Sequence, residues 1–79
     1  MLILARGHYF LRRKKYKDAL PNFEKVLSTY PRSSFAPEAL YYKGVGRYLD
    51  SHELDELKEE WITLQRLYPA STWAVKSDI

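Results

Sequence analysis

Cysteine is absent from these 79 residues, which excludes a disulfide framework and a thiolate metal site. The absence says nothing about compartment, because cysteine-free domains occur everywhere. Glycine appears three times and proline four times, too rarely for a flexible linker or a low-complexity tract. No apolar run approaches the roughly 18 residues that a membrane-spanning helix requires. The opening stretch MLILARG has four apolar residues and then an arginine. It lacks the charge, apolar run and small-residue cleavage site of a signal peptide. The expectation is a cytoplasmic domain, or a periplasmic one whose targeting signal has been removed ahead of Met1.

The chain is rich in aromatics and in repetition. Aromatic residues make up 15% of it, with seven tyrosines, and 46% is hydrophobic. Its length allows one small domain with a thin core, so each large apolar side chain matters. Residues 30 to 36 read YPRSSFA and residues 68 to 74 read YPASTWA, 38 positions later.

Periodicity assigns helices between and around these two stretches. Leu2, Ile3, Phe10 and Leu11 fit one face of a first helix. The basic run Arg12 to Lys15 closes it, where cations suit the negative end of the helix dipole. Tyr16, Ala19, Leu20, Phe23, Val26, Leu27 and Tyr30 form a second apolar stripe, stopped by Pro31. Pro21 lies inside this helix near its start, so a slight kink is expected rather than the full cost of roughly 3 kcal/mol. Ser33 and Ser34 are expected to cap a third helix, which tolerates Pro37 in its first turn and runs to about Leu49. After a polar turn DSHE, Leu54, Leu57, Trp61, Leu64, Leu67 and Tyr68 form a fourth stripe that ends at Pro69. Trp73 stands where Phe35 does, so STWAVKSDI should begin a fifth, capping helix. No segment alternates with the period of a strand. The fold class is all-α: two antiparallel helical hairpins in series, with a partial fifth helix.

Repeat periods in the thirties mark helical solenoids, whose units cannot bury their apolar faces alone. The residues of the first unit resemble the tetratricopeptide repeat. Gly7, Phe10, Tyr16, Ala19, Phe23, Val26 and Pro31 match the pattern of that family in register. Gly44, Tyr48, Leu54, Leu57, Trp61, Leu64 and Pro69 match it again with one residue inserted near Asp50. Leu57 replaces the small alanine, so the second hairpin is expected to be wider or tilted. The resemblance implies a short right-handed solenoid forming one domain over residues 1–79. Repeat 1 covers about 1–34, repeat 2 about 35–70, and residues 71–79 are the capping segment. The stretch YPRSSFAPEALYYKGV is similar to the bacterial subclass found in Tol-Pal accessory and outer-membrane assembly lipoproteins. Together with LKEEWITLQRLYP and STWAVK it also resembles the C-terminal repeat segment of thioredoxin-like proteins.

Chemistry has few candidates. His8 and His52 lie on different helices, and neither has an HxxxH or cysteine partner, so neither is read as a metal ligand or base. Asp50, Glu53, Asp55, Glu56, Glu59 and Glu60 cluster, but Leu54, Leu57 and Trp61 interleave at helical spacing. These acids are expected on the wet face of the fourth helix. Gly44 and Gly46 sit within a helix and follow no strand, so they are no phosphate loop. No nucleophile, base and oxyanion donors converge. The reading is of a non-enzyme without metal, cofactor or small-molecule substrate.

Binding remains. Residues 1–32 hold eight of the 13 basic side chains against Asp18 and Glu24, which raises RNA or anionic lipid as a partner. Those at 12 to 15 lie around the helix with no aromatic platform, so nucleic acid is the weaker reading. The tetratricopeptide resemblance places Leu4, His8, Leu11 and Arg12 of the first helix on a concave groove. Glu38, Tyr41, Val45 and Tyr48 join them from the third. The lysine and asparagine of the version that grips a C-terminal carboxylate are missing. The expected partner is therefore an apolar segment, another helix or a neighbouring domain of the same chain. Phe23 and Trp61, at corresponding places in the two hairpins, are expected to be buried. The function expected is a protein-interaction or assembly scaffold, the rival being a structural appendage of a thioredoxin-like redox protein.

Overall fold

The computed structural model describes residues 1–77, and these form five α-helices with no strand among them. They are α1 (Leu2–Arg12), α2 (Tyr16–Thr29), α3 (Phe35–Ser51), α4 (Leu54–Leu67) and α5 (Thr72–Lys76). Each helix packs on its neighbour in the chain, so α1–α2 and α3–α4 are hairpins and α2 lies against α3. The molecule is a stack of helical hairpins with a short helix on its end. Asp78 and Ile79, the tail of the expected capping segment, lie outside the described residues.

Two apolar clusters hold the stack together. The first joins Leu4 of α1, Ala19, Phe23 and Val26 of α2, and Ala39 of α3. The second joins Leu40 of α3, Leu64 of α4 and Ala74 of α5. Leu27 of α2 packs against both.

Glycine sets how closely the hairpins close. A Cβ on Gly7 would stand 2.6 Å from Phe23 Cε1, and one on Gly44 would stand 2.9 Å from Trp61 Cδ1. Real Cβ atoms do not approach so near, so in each hairpin a glycine admits the aromatic ring of the partner helix.

The repeated stretches build the same turn twice. Tyr30 and Tyr68 share a backbone conformation, φ −130°, ψ 56° and φ −132°, ψ 56°. Ser33 donates from both its amide (3.1 Å) and its hydroxyl (2.8 Å) to the Tyr30 carbonyl. Ser71 does the same to the Tyr68 carbonyl at 3.1 and 3.0 Å. The phenol of Tyr68 then donates to the Pro31 carbonyl at 2.6 Å, tying the second turn to the first.

Several expectations need correction. Neither Ser33 nor Ser34 caps α3 through its side chain, because Ser33 is turned back to Tyr30 and Ser34, the N-cap, makes no cap bond. Ser71 does cap α5, accepting from the Ala74 amide at 3.0 Å. Helix α3 runs on to Ser51, past the expected turn at Asp50, and ends at His52 with φ 62° in the left-handed region. The helix α2 continues through Pro21, whose ring is on the exposed side.

Candidate functional site: the inner faces of α1 and α3

The eight groove residues divide into three groups. Leu4 is a correction: it is 5% exposed and belongs to the core, so it offers a partner no surface. Its face of α1 turns onto α2, where Phe23 and Val26 enclose it.

The second group is joined across the stack. His8 Nε2 and Glu38 Oε2 are 2.9 Å apart, linking the first hairpin to the second. The imidazole stands edge-on to Tyr42 at 4.5 Å and to Phe23 at 5.6 Å. Tyr42 in turn meets Trp73 at 5.4 Å. Burial first, then the neighbouring Tyr41 and the Glu38 carboxylate, raise the Tyr42 phenol above its ordinary pKa. Tyr41 is half-buried, its ring stacked on Trp61 at 4.8 Å and tilted against Trp73 at 5.2 Å. His8 and Tyr42 are therefore packed between the hairpins, and Tyr41 among α3, α4 and α5.

The third group is less enclosed, although Leu11 packs against the first apolar cluster. Leu11, Val45 and Tyr48 are half-buried and Arg12 is exposed. Leu11 and Leu20 reach α3 at Gly46, where an added Cβ would meet Leu11 Cδ1 at 3.8 Å and Leu20 Cδ2 at 3.1 Å. Gly46 thus seats α3 on the first hairpin, a role that its position in a helix did not announce.

Trp61 departs from expectation. It is half-buried rather than buried, and its indole Nε1 donates to the Tyr41 carbonyl at 3.1 Å. Phe23, its counterpart, is completely enclosed.

Of the six clustered acids, Asp50, Glu53, Asp55 and Glu59 are exposed as expected, and two are placed differently. Glu60 is buried and Glu56 half-buried, not on a wet face. Arg47 of α3 reaches Glu60 Oε2 at 2.8 Å and Glu56 Oε1 at 3.1 Å, with Glu59 at 3.6 Å. Lys43 adds a contact to Glu60 at 3.3 Å. Glu60 is the main reason the Arg47 guanidinium is held above its ordinary pKa. The Ser51 hydroxyl and then the Arg47 guanidinium lower that of Glu56. Lys43 and Arg47 on α3, and Glu56 and Glu60 on α4, are each four residues apart, but sequence spacing alone does not show that the two faces meet.

Two open depressions lie elsewhere, one of about 700 Å³ between α2 and α3 beside Leu27 and Lys43, the other of about 300 Å³ beside Pro69 and Val75. No group of three or more His, Asp or Glu side chains among the described residues is arranged to hold a metal. No family model, curated protein or solved structure matches the chain.

Proposed function

We propose that the chain is a two-repeat tetratricopeptide-like module and that it works as a non-catalytic protein-interaction or assembly scaffold. The repeat reading is supported by the paired contacts of Gly7 with Phe23 and Gly44 with Trp61, and by the two matching tyrosine–proline turns. The scaffold reading rests on Tyr48. It shares the inner face of α3 with Val45 and Tyr41, at steps of three and four residues. Tyr41 is held between two tryptophans, whereas Tyr48 is half-buried beyond that aromatic array. Leu11 and Arg12 offer apolar area and a cation from α1. Together they suit an apolar peptide segment or helix carrying an acidic group.

Tyrosine is over-represented among interface hot spots, and losing one costs on the order of tenfold in affinity. The test is a photo-crosslinking amino acid at position 48, with position 62 of α4 as control, followed by identification of the crosslinked polypeptide. A single protein captured from position 48 and not from 62, weakened about tenfold by Arg12→Ala at unchanged melting temperature, is the expected result. Equal capture from both positions overturns the reading. Crosslinks to a redox domain of the same polypeptide would favour the appendage instead.

A further inference from the structure

The charge of this molecule is divided between its halves. Residues 1–32 carry a net charge of +6 and residues 33–79 a net charge of −3. Two of the five lysines and arginines in residues 33–79 sit among carboxylates. Lys43 and Arg47 on α3 are both paired with carboxylates of α4. None of the eight lysines and arginines within residues 1–32 forms an ion pair among the described residues.

Six of those eight lie between Arg6 and Lys17, in α1, in the turn that follows it and at the start of α2. The core side of α1 is marked by Leu4 and Gly7, which are buried. Diametrically opposite run Leu2, Arg6, Tyr9 and Arg13, at steps of four, three and four residues. All four are exposed, and Leu2 is 67% exposed. A face turned away from the core is ordinarily polar throughout; here apolar and cationic residues alternate. The Arg13 guanidinium lies 5.2 Å from the Tyr9 ring centroid and donates to its phenol at 3.1 and 3.3 Å. That pair is one amphipathic unit, with an aromatic body and a charged, hydrogen-bonding rim.

Cations alone would suit any polyanion. Leu2 and Tyr9 narrow the choice, because a nucleic-acid backbone has no use for an exposed leucine among the cations. The boundary between lipid headgroups and acyl chains accommodates both kinds of residue: apolar side chains enter it while lysine and arginine stay among the phosphates. We propose that the outer face of α1 and the α1–α2 turn dock on an anionic phospholipid surface. Helix α1 lies in the plane of that surface, Leu2 and Tyr9 enter it, and Arg6, Arg13 and the turn lysines meet the headgroups. This surface is separate from the inner face built around Tyr48, so it stands or falls independently of the scaffold reading.

The experiment is co-sedimentation of the intact chain with vesicles of phosphatidylcholine, alone or mixed with phosphatidylglycerol. Binding is expected to the mixed vesicles only, and to weaken as salt rises. Each cation near such a surface is worth about fivefold in binding. Arg6→Gln and Lys15→Gln should each lose about that factor, whereas Arg66→Gln on α4 should lose nothing. Leu2→Ser should weaken binding to the mixed vesicles while leaving the salt dependence in place. Circular dichroism of each variant checks that the helices are intact. Retention of a single-stranded oligonucleotide without vesicle binding overturns the proposal in favour of nucleic acid. Equal losses from Arg6→Gln and Arg66→Gln, or no effect of Leu2→Ser, overturn it too, since either means that net charge alone is acting.

Discussion

Gly7 and Gly44 occupy the same place in their hairpins, yet their neighbours differ in freedom. Phe23 is enclosed on every side, so it cannot retreat from a methyl group placed at 2.6 Å. Trp61 is half-buried, so its ring can shift toward solvent, at the expense of its hydrogen bond to the Tyr41 carbonyl. Alanine also gains about 1 kcal/mol of helix propensity over glycine. Gly7→Ala is therefore expected to destabilise by about 1–3 kcal/mol, and Gly44→Ala to be near neutral. Urea denaturation of both variants measures this, and equal effects would contradict the asymmetry. The recurrence of a glycine and an aromatic in each hairpin was legible in the sequence, 16 residues apart in the first and 17 in the second. The unequal burial of the two rings was not. It depends on what lies beyond each ring, which residue spacing does not show.

Between elements, the α3–α4 contact owes much to charge. Arg47 holds carboxylates from successive turns of α4, those of Glu56 and the buried Glu60. The Glu56 carboxyl has its pKa lowered in the fold by Ser51 and then Arg47. A carboxyl so perturbed stabilises the folded state above its unfolded value, and the contribution disappears as pH falls through the lower folded value. Stability should accordingly decline below about pH 4.5, and Glu56→Gln should flatten that acid limb, followed by thermal denaturation across the range. An unchanged limb would show that other carboxylates govern it. The helices themselves could be read from apolar stripes and proline stops, down to α5. The cross-helix ion pairs could not, since register between two helices is a tertiary property. The serine caps failed for a related reason: Ser33 and Ser71 both bond back to the preceding tyrosine carbonyl, but only Ser71 also accepts from the next helix, and the folded turn decides which does.

For the molecule as a whole, the short α5 closes the far end of the stack. Ala74 is buried with Leu40 and Leu64, and Trp73 lies against Tyr41 and Tyr42. Gln65 Nε2 donates to the buried Ser77 hydroxyl at 3.1 Å, joining α4 to α5 with a polar contact. Where α2 offers Leu20 and Leu27 to the next helix, α4 offers Lys58 and Gln65 at the corresponding positions 38 residues on. Removing residues 71–79 uncovers Leu40 and Leu64 and should lower the melting temperature and promote self-association. Analytical ultracentrifugation together with a melting curve would reveal a truncated chain that stays monomeric and equally stable, which would deny α5 this role.

Leu27 touches both apolar clusters, and that gives the molecule its cooperativity. A hairpin stack behaves as a row of units, each with its own stability and a coupling to its neighbour. With only two hairpins, coupling through one shared side chain and the α2–α3 contact makes either hairpin costly to keep once the other has melted. The two therefore unfold in one transition, and amides of α1 and α4, at opposite ends of the row, exchange with solvent at nearly the same free energy.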